Sequence, residues 1–231
     1  MPLRPFFTYY GGKYRSSPHY PAPGYPTIIE PFAGSAGYSL RYPHKRIVLN
    51  DVDESIVMVW DYLIHVSADE IRALPLEITH VDDLHVIQEA KMLIGFWLNK
   101  GAAVPCKTPS SWMRSGIRPK SYWGQEIRER IASQVDSIRH WTISQVSYEQ
   151  LPLTEATWFV DPPYMSAAGR HYRRDVVDYG HLGAWSRGLP GQVIVCELEG
   201  ADWLPFTPFR VTKASPAKRG GKRSREAVWT R

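Results

Sequence analysis

Residues 158–164, Trp-Phe-Val-Asp-Pro-Pro-Tyr, constrain what this chain can fold into more than any other stretch. Trp158 to Val160 is a short apolar run that reads as a buried strand. Proline cannot donate to a strand ladder, so the strand stops at Asp161. A residue before proline is pushed towards extended backbone, and each proline fixes its own φ. The product is a stiff corner at the carboxyl end of a strand. It presents a carboxylate, two carbonyls with no neighbouring donors and an aromatic ring. In open α/β sheets that edge is where ligands bind.

One chemistry that wants those groups is activation of an exocyclic amine on a nucleobase, whose lone pair is delocalised into the ring. A carboxylate and a carbonyl accepting its two N–H bonds would make the nitrogen nucleophilic, while a stacked ring holds the base still. Asp161, the Pro162 carbonyl and Tyr164 suit those roles. The plainer alternative is a rigid surface turn in which Asp161 caps backbone, and the rest of the chain has to decide between them.

With 231 residues, the chain is long enough for one large domain, or a domain with an insertion. Its hydrophobic fraction of 43% excludes a disordered polymer. Cys106 and Cys196 are far apart and show no metal or disulfide spacing, as expected of a reduced, cytoplasmic protein. No apolar run reaches transmembrane length and no signal core is present, so no membrane partner is expected. The charge is placed unevenly. From Lys213 to Arg231 seven basic residues face Glu226 alone, whereas the remainder carries 21 basic and 22 acidic residues. A neutral body with a basic end suits a polyanionic partner or, more simply, a solvated tail.

Taken in order, residues 6–15 hold a Gly11-Gly12 turn followed by Lys13, a close-approach backbone beside a mobile cation. Thr27 to Ile29 is a buried strand leading into Glu30-Pro31-Phe32-Ala33-Gly34-Ser35-Ala36-Gly37. These small residues predict a tight strand-to-helix crossing with backbone N–H groups open to a ligand. The pattern is neither the dinucleotide fingerprint nor a Walker loop, so a nucleotide phosphate is not implied. Ile47 to Leu49 is the next strand, ending in Asn50-Asp51-Val52-Asp53. An acid at this place commonly binds ribose hydroxyls. Asp53 is the better cap for a helix over 54–66, which leaves Asp51 free for a ligand. Strand, glycine turn, helix, strand and acid make a nucleoside-binding βαβ unit.

Tyr10-Gly11-Gly12-Lys13, Pro31 to Gly37, Asn50-Asp51 and Asp161-Pro162-Pro163-Tyr164 follow one another as in the Dam-type DNA adenine-N6 methyltransferases, which this chain resembles over nearly its whole length. Asp178 to Leu182 and Glu226 to Trp229 also look like that family's later segments. The resemblance implies a Rossmann-like sheet, S-adenosylmethionine as methyl donor, duplex DNA as partner, no metal, and an enzyme of phage or prophage type. It places Asp161, Pro162, Pro163 and Tyr164 at the reacting amine. It places Tyr9, Tyr10, Gly12, Lys13, Pro31, Phe32, Gly34, Asp51, Ser147, Tyr148 and Asp161 at the donor. Ser147 stands where the family usually has an acid for the donor's adenine, so its hydroxyl or Glu149 is left to make that contact. The family's target-recognition region lies between the donor and catalytic motifs.

That middle, about 67–140, is where the chain is individual. Ser67 to Glu70 is a capping-box pattern for a short helix ended by Pro75. Helical spacing runs over 83–99, and again over 122–139. Between them, residues 107–125 carry Lys107, Arg114, Arg118 and Lys120, no acid, and Trp112, Tyr122 and Trp123. Interleaved cations and aromatics suit phosphate contact and base stacking, although such aromatics also serve as core. After the corner, Arg170 and Arg173 lie in a small-residue loop suited to DNA phosphates. Further on, Phe209–Lys213 and Glu226–Thr230 pair as a hairpin that puts Lys222 and Arg223 in its turn.

The expected architecture is therefore one α/β domain over 1–231. It has a mostly parallel seven-stranded sheet, a terminal antiparallel hairpin and a helical insertion at 67–140. The expected reaction is site-specific methylation of adenine N6 in DNA. Its rivals are cytosine-N4 methylation, against which Asp161 argues, and a degenerate DNA-binding protein on the same fold.

Overall fold

The computed structural model describes residues 1–117, 119–165, 177–213 and 223–231. Seven strands form one sheet in the order β3-β2-β1-β4-β5-β7-β6. They are β1 (Thr27–Glu30), β2 (Arg46–Asn50), β3 (Thr142–Ser144), β4 (Ala156–Val160), β5 (Gly191–Leu198), β6 (Thr207–Lys213) and β7 (Arg223–Thr230). The first five are parallel, while β7 runs antiparallel to both β5 and β6. The α/β Rossmann-like sheet with a reversed terminal hairpin is thus the one expected. Every residue of β4 is buried, as a parallel strand covered on both faces requires. Strand order reverses between β1 and β4, and that switch point opens a crevice at their carboxyl ends.

Alternation along the strands sorts the side chains into two cores. Ile28, Leu49, Phe159 and Ile194 face one side, beneath α1 (Glu54–His65) and the helical segment after it. Ile29, Trp158, Val160 and Val195 face the other, beneath α6 (Tyr179–Gly188). The helical segment comprises α2 (Ala68–Ala73), α3 (Gln88–Leu98), the single turn α4 (Ser111–Arg114) and α5 (Gln125–Ala132). Among the described residues no helix is long and apolar enough to cross a membrane.

Local chemistry explains most boundaries. Asp53 caps α1 by accepting the Ser55 N–H (2.9 Å), and Ser67 and Glu70 form the anticipated capping box of α2. Three expectations need correction. The crossing from β1 to β2 contains no α-helix, only a 3-10 turn at Ser39–Arg41. Gly34 and Ala36 have φ of +45° and +50°, and Pro43 blocks continuation, so too few residues remain for a helix. Helix α3 starts at Gln88 rather than at 83. The Val81 N–H bonds the Lys107 carbonyl and draws 81–83 into a separate turn, leaving Ile87 exposed. Helix α5 likewise starts at Gln125, after Trp123 has turned inward to donate its indole N–H to the Pro75 carbonyl.

The N-terminal segment is part of the core. Phe6 and Phe7 are fully buried, edge-on to Trp60 at 5.8 and 5.4 Å, and the Trp97 indole N–H holds the Phe6 carbonyl at 2.8 Å. This anchoring carries residues 9–13 across the crevice between β1 and β4.

Candidate active site

At the carboxyl edge of the sheet lies a cleft of about 460 Å³. Of the residues expected at the donor, Tyr9, Tyr10, Gly12, Lys13, Phe32, Gly34, Asp51, Ser147, Tyr148 and Asp161 line it, together with Pro163 of the corner. Pro31 does not. Its carbonyl instead accepts the Asn50 side-chain N–H at 3.0 Å. Asn50 is wholly buried and also bonds Val146 and Ser144, so it laces together the ends of β1, β2 and β3.

The corner leaves β4 where expected, with Pro162 buried. Lys13, only 5% exposed, places its ammonium 2.8 and 2.9 Å from the two Asp161 carboxylate oxygens. It also donates to the Gly11 carbonyl at 3.0 Å and lies 4.8 Å from the centre of the Tyr164 ring. Burial pushes the Asp161 carboxyl up, and the Lys13 charge and the Tyr164 hydroxyl pull it part of the way back. The neighbouring Glu30 is 2% exposed and accepts the Ser39 N–H at 2.8 Å. Burial raises it to about 8, so at neutral pH it keeps its proton and leaves Lys13 to Asp161. Glu30 was visible in the sequence only as a polar residue ending an apolar strand.

The small-residue loop after β1 has a second use besides ligand approach. A side chain at Gly34 would meet the Tyr9 ring at 3.0 Å, and one at Gly37 would lie 2.5 Å from the Tyr14 nitrogen. Their absence lets the N-terminal segment pack directly on the loop. Nor are the loop's donors all open, because the Gly34 N–H goes to Asp51 at 2.9 Å. Asp51 is therefore not free as expected: it also accepts the Asp53 N–H at 3.0 Å. Burial raises Asp51 to about 6 against the pull of those two N–H groups. Asp53 has a buried oxygen with no hydrogen-bond partner, beside the same cleft.

At the cleft's other end the Ser147 N–H is engaged by the Gln150 side chain at 3.0 Å. The Tyr148 hydroxyl lies 2.8 Å from His181 Nδ1, and its ring stands 5.5 Å from that of Phe32. Glu149, Val177 and Asp178 complete this wall. Carboxylates thus line the cleft at Asp51, Asp53, Glu149, Asp161 and Asp178, beside the protonated Glu30, against Lys13 as the lone cation among the described lining residues. Such a cavity suits a ligand carrying positive charge.

The basic segment of the helical region reads differently in three dimensions. Lys107 pairs with Asp82 at 2.8 Å, Lys120 with Glu126 at 2.9 Å, and Arg114 donates to the Pro109 carbonyl. Tyr122 and Trp123 are buried, so two of the three aromatics expected to stack on bases belong to the interior, and Trp112 alone of them is exposed. Arg118, Arg170, Arg173 and Lys222 lie outside the described residues. Arg223 and Arg225 fall within β7 and not in a turn, and Arg225 pairs with Glu199 at 3.3 Å.

No protein-family model matches the chain, and no curated protein does. Solved structures that align with it include a conserved hypothetical protein of Streptococcus pyogenes, at 10% identity and a TM-score of 0.38, over 91% of this chain and 88% of that one. Another is a protein of Haemophilus influenzae provisionally named a methylase, at 9% identity and a TM-score of 0.30, over 87% and 85%. Likeness this distant does not define the chemistry of the cleft, which rests on its own residues.

Proposed function

We propose that the chain is a single-domain DNA methyltransferase that uses S-adenosylmethionine and acts on adenine N6, with residues 67–140 as its target-recognising region. The observation that carries this reading is the meeting, in one cleft, of Asp161 and Pro163 from the corner, the Lys13 turn, the Gly34 loop and Asp51, with the Tyr164 ring 4.8 Å from the Lys13 ammonium. These segments are scattered over 150 residues of sequence, yet they converge at the switch point of the sheet.

The cleft fits the donor in three ways. Its carboxylates suit a sulfonium cation, and Asp51 with the unpartnered oxygen of Asp53 offers acceptors for ribose hydroxyls. The Phe32, Val52 and Tyr148 side chains provide apolar walls for a planar base. When bound, S-adenosylmethionine would supply an electrophilic methyl for the target nitrogen to take, the C–S electron pair leaving with the thioether sulfur.

The chain's own residues prepare that nitrogen. Asp161 accepts one N–H of the amine and the Pro162 carbonyl the other, which localises the lone pair; Tyr164 stacks on the base turned out of the duplex. Lys13 favours the charged form of Asp161 against the push of burial, and one of its contacts to the carboxylate gives way to the incoming amine. The proton released by the nitrogen leaves through Asp161 to water.

Incubation with radiolabelled S-adenosylmethionine and mixed-sequence duplex DNA, followed by nucleoside chromatography, tests the reading. N6-methyladenine is the expected product. N4-methylcytosine would transfer the site to the other amine, and an unlabelled duplex would remove the reading.

A further inference from the structure

The Asp161–Tyr164 corner is held from outside by two residues that do not themselves line the cleft. The Tyr179 hydroxyl, in the first turn of α6, donates to the Pro163 carbonyl at 2.7 Å. Glu197, near the end of β5, accepts the Met165 N–H at 2.6 Å. These are the backbone groups on either side of Tyr164. We propose that Tyr179 and Glu197 are positioning residues that grip the main chain on both flanks of Tyr164 and so fix its ring. The inference rests on the reading of the corner as the reacting site.

Three observations support a built device. First, Glu197 is 1% exposed, in a strand whose preceding residues are Val193, Ile194, Val195 and Cys196. A carboxyl in such a place is unfavourable unless its acceptors are used, and here both oxygens are: the second takes the Leu198 N–H at 2.6 Å. Second, the two grips are joined. The Tyr179 ring packs 5.7 Å from that of Trp203, whose indole N–H lies 3.5 Å from the Glu197 oxygen that holds Met165. Third, α6 is pressed against this link, since a side chain at Gly183 would come within 2.8 Å of the Trp203 carbonyl. The arrangement also sorts the carbonyls of the corner. Pro163 spends its carbonyl on Tyr179, which leaves that of Pro162 for the target amine. Misplacing a reacting group by about 1 Å can slow a reaction by roughly 100-fold, so a grip on the flanks of Tyr164 acts on rate.

The test compares Tyr179→Phe, Glu197→Gln and Tyr164→Ala in the full chain. Three quantities are read: donor affinity by calorimetry, single-turnover methyl transfer to duplex DNA, and exchange of the Met165 amide. Tyr179→Phe removes one oxygen only. It should lower transfer by about 10- to 100-fold while donor Kd stays within about twofold. Added to Tyr164→Ala, it should lower transfer by less than about twofold further, because the ring it positions is gone. Glu197→Gln still offers one oxygen but puts an amide N–H2 beside a backbone donor, so the Met165 amide should exchange at least about tenfold faster. A Tyr179→Phe enzyme within twofold of the parent rate, or a loss undiminished in the Tyr164→Ala background, overturns the proposal. If the parent transfers no methyl group to DNA, the functional reading fails instead. The grip is then judged by Met165 exchange alone, and unchanged exchange in Glu197→Gln would overturn it.

Discussion

The corner at residues 161–164 and the basic stretch at 107–125 both point to nucleic acid in the sequence, the corner more specifically, and the structure treats them in opposite ways. At the corner, charge is gathered from afar: Lys13 reaches Asp161 across 148 residues, and Glu30 lies close by. In the basic stretch, charge is partly neutralised from nearby, since Lys107 and Lys120 pair with Asp82 and Glu126. Its apparent lack of acids was true only of the stretch itself. A motif that dictates backbone keeps its meaning in three dimensions, because two successive prolines bend the chain wherever it goes. A motif that is only a composition does not, because side chains take whatever partners folding brings.

Mutations can break this comparison or sharpen it, and the largest effect belongs at the corner. Asp161→Ala should lower single-turnover methyl transfer by about 10³- to 10⁴-fold, or roughly 4–5.5 kcal/mol in the barrier, with fold and DNA binding largely intact. Near-parental turnover would reduce the corner to the surface turn that was its plainer reading. Next comes Glu30, whose carboxyl burial lifts to about 8 from its ordinary value of 4.5. Its native form binds a proton more tightly than the unfolded chain, so the associated stability is complete below about 4.5 and is lost as pH rises through about 8. Glu30→Gln keeps an acceptor for Ser39 and should remove this slope, making the variant more stable than the parent above pH 8 by about 3–4 kcal/mol. Denaturant unfolding from pH 5 to 9 measures it, and parallel curves for the two proteins would show that Glu30 is already ionised.

A smaller effect is expected at Asp51. Asp51→Ala should weaken donor binding by tenfold or more, corresponding to about 1.5–3 kcal/mol for a charge-assisted hydrogen bond. Part of that loss will come from loosening the Gly34 loop that Asp51 staples. Because Asp51 titrates near 6, donor affinity in the parent should also fall as pH drops through that value and its charge is lost. Calorimetry at pH 5.5 and 7.5 checks both points, and a pH-independent affinity would move the ribose to Asp53. The smallest effect belongs to the basic stretch. Lys107→Ala should leave sequence preference unaltered and flatten the salt dependence of log DNA affinity by about 0.9 if the lysine touches a phosphate, or by nothing if Asp82 keeps it. A change of preferred sequence would restore to this stretch the reading role that its pairing argues against.

Much of the fold was legible because parallel strands buried on both faces must be apolar runs, and Ile28-Ile29, Ile47 to Leu49 and Trp158 to Val160 are such runs. The missing crossover helix was not legible. Periodicity cannot show that Ala36 takes a positive φ, which the packing of Tyr9 and Tyr14 against the loop accompanies. The starts of α3 and α5 were misplaced for a related reason, since a distant carbonyl at Lys107 and another at Pro75 decided where each chain segment turned. In the cleft, the residue types were readable but their engagements were not. Asp51 looked available until the Gly34 and Asp53 N–H groups were seen to claim it, and Glu30 became notable only through its burial.

The reach from Lys13 to Asp161 bears on how the molecule is made as well as on how it acts. Phe6 and Phe7 need Trp60 and Trp97 to bury them, and the cation that follows needs a carboxylate that emerges from the ribosome 148 residues later. At about 5–20 residues per second, the first half of this pair waits roughly 7–30 seconds for the second. The cleft therefore cannot close until β4 and its corner have been made. Ligand binding then reports more than activity: it certifies that the two halves of the sheet have been joined, and it stabilises only chains that have reached that point.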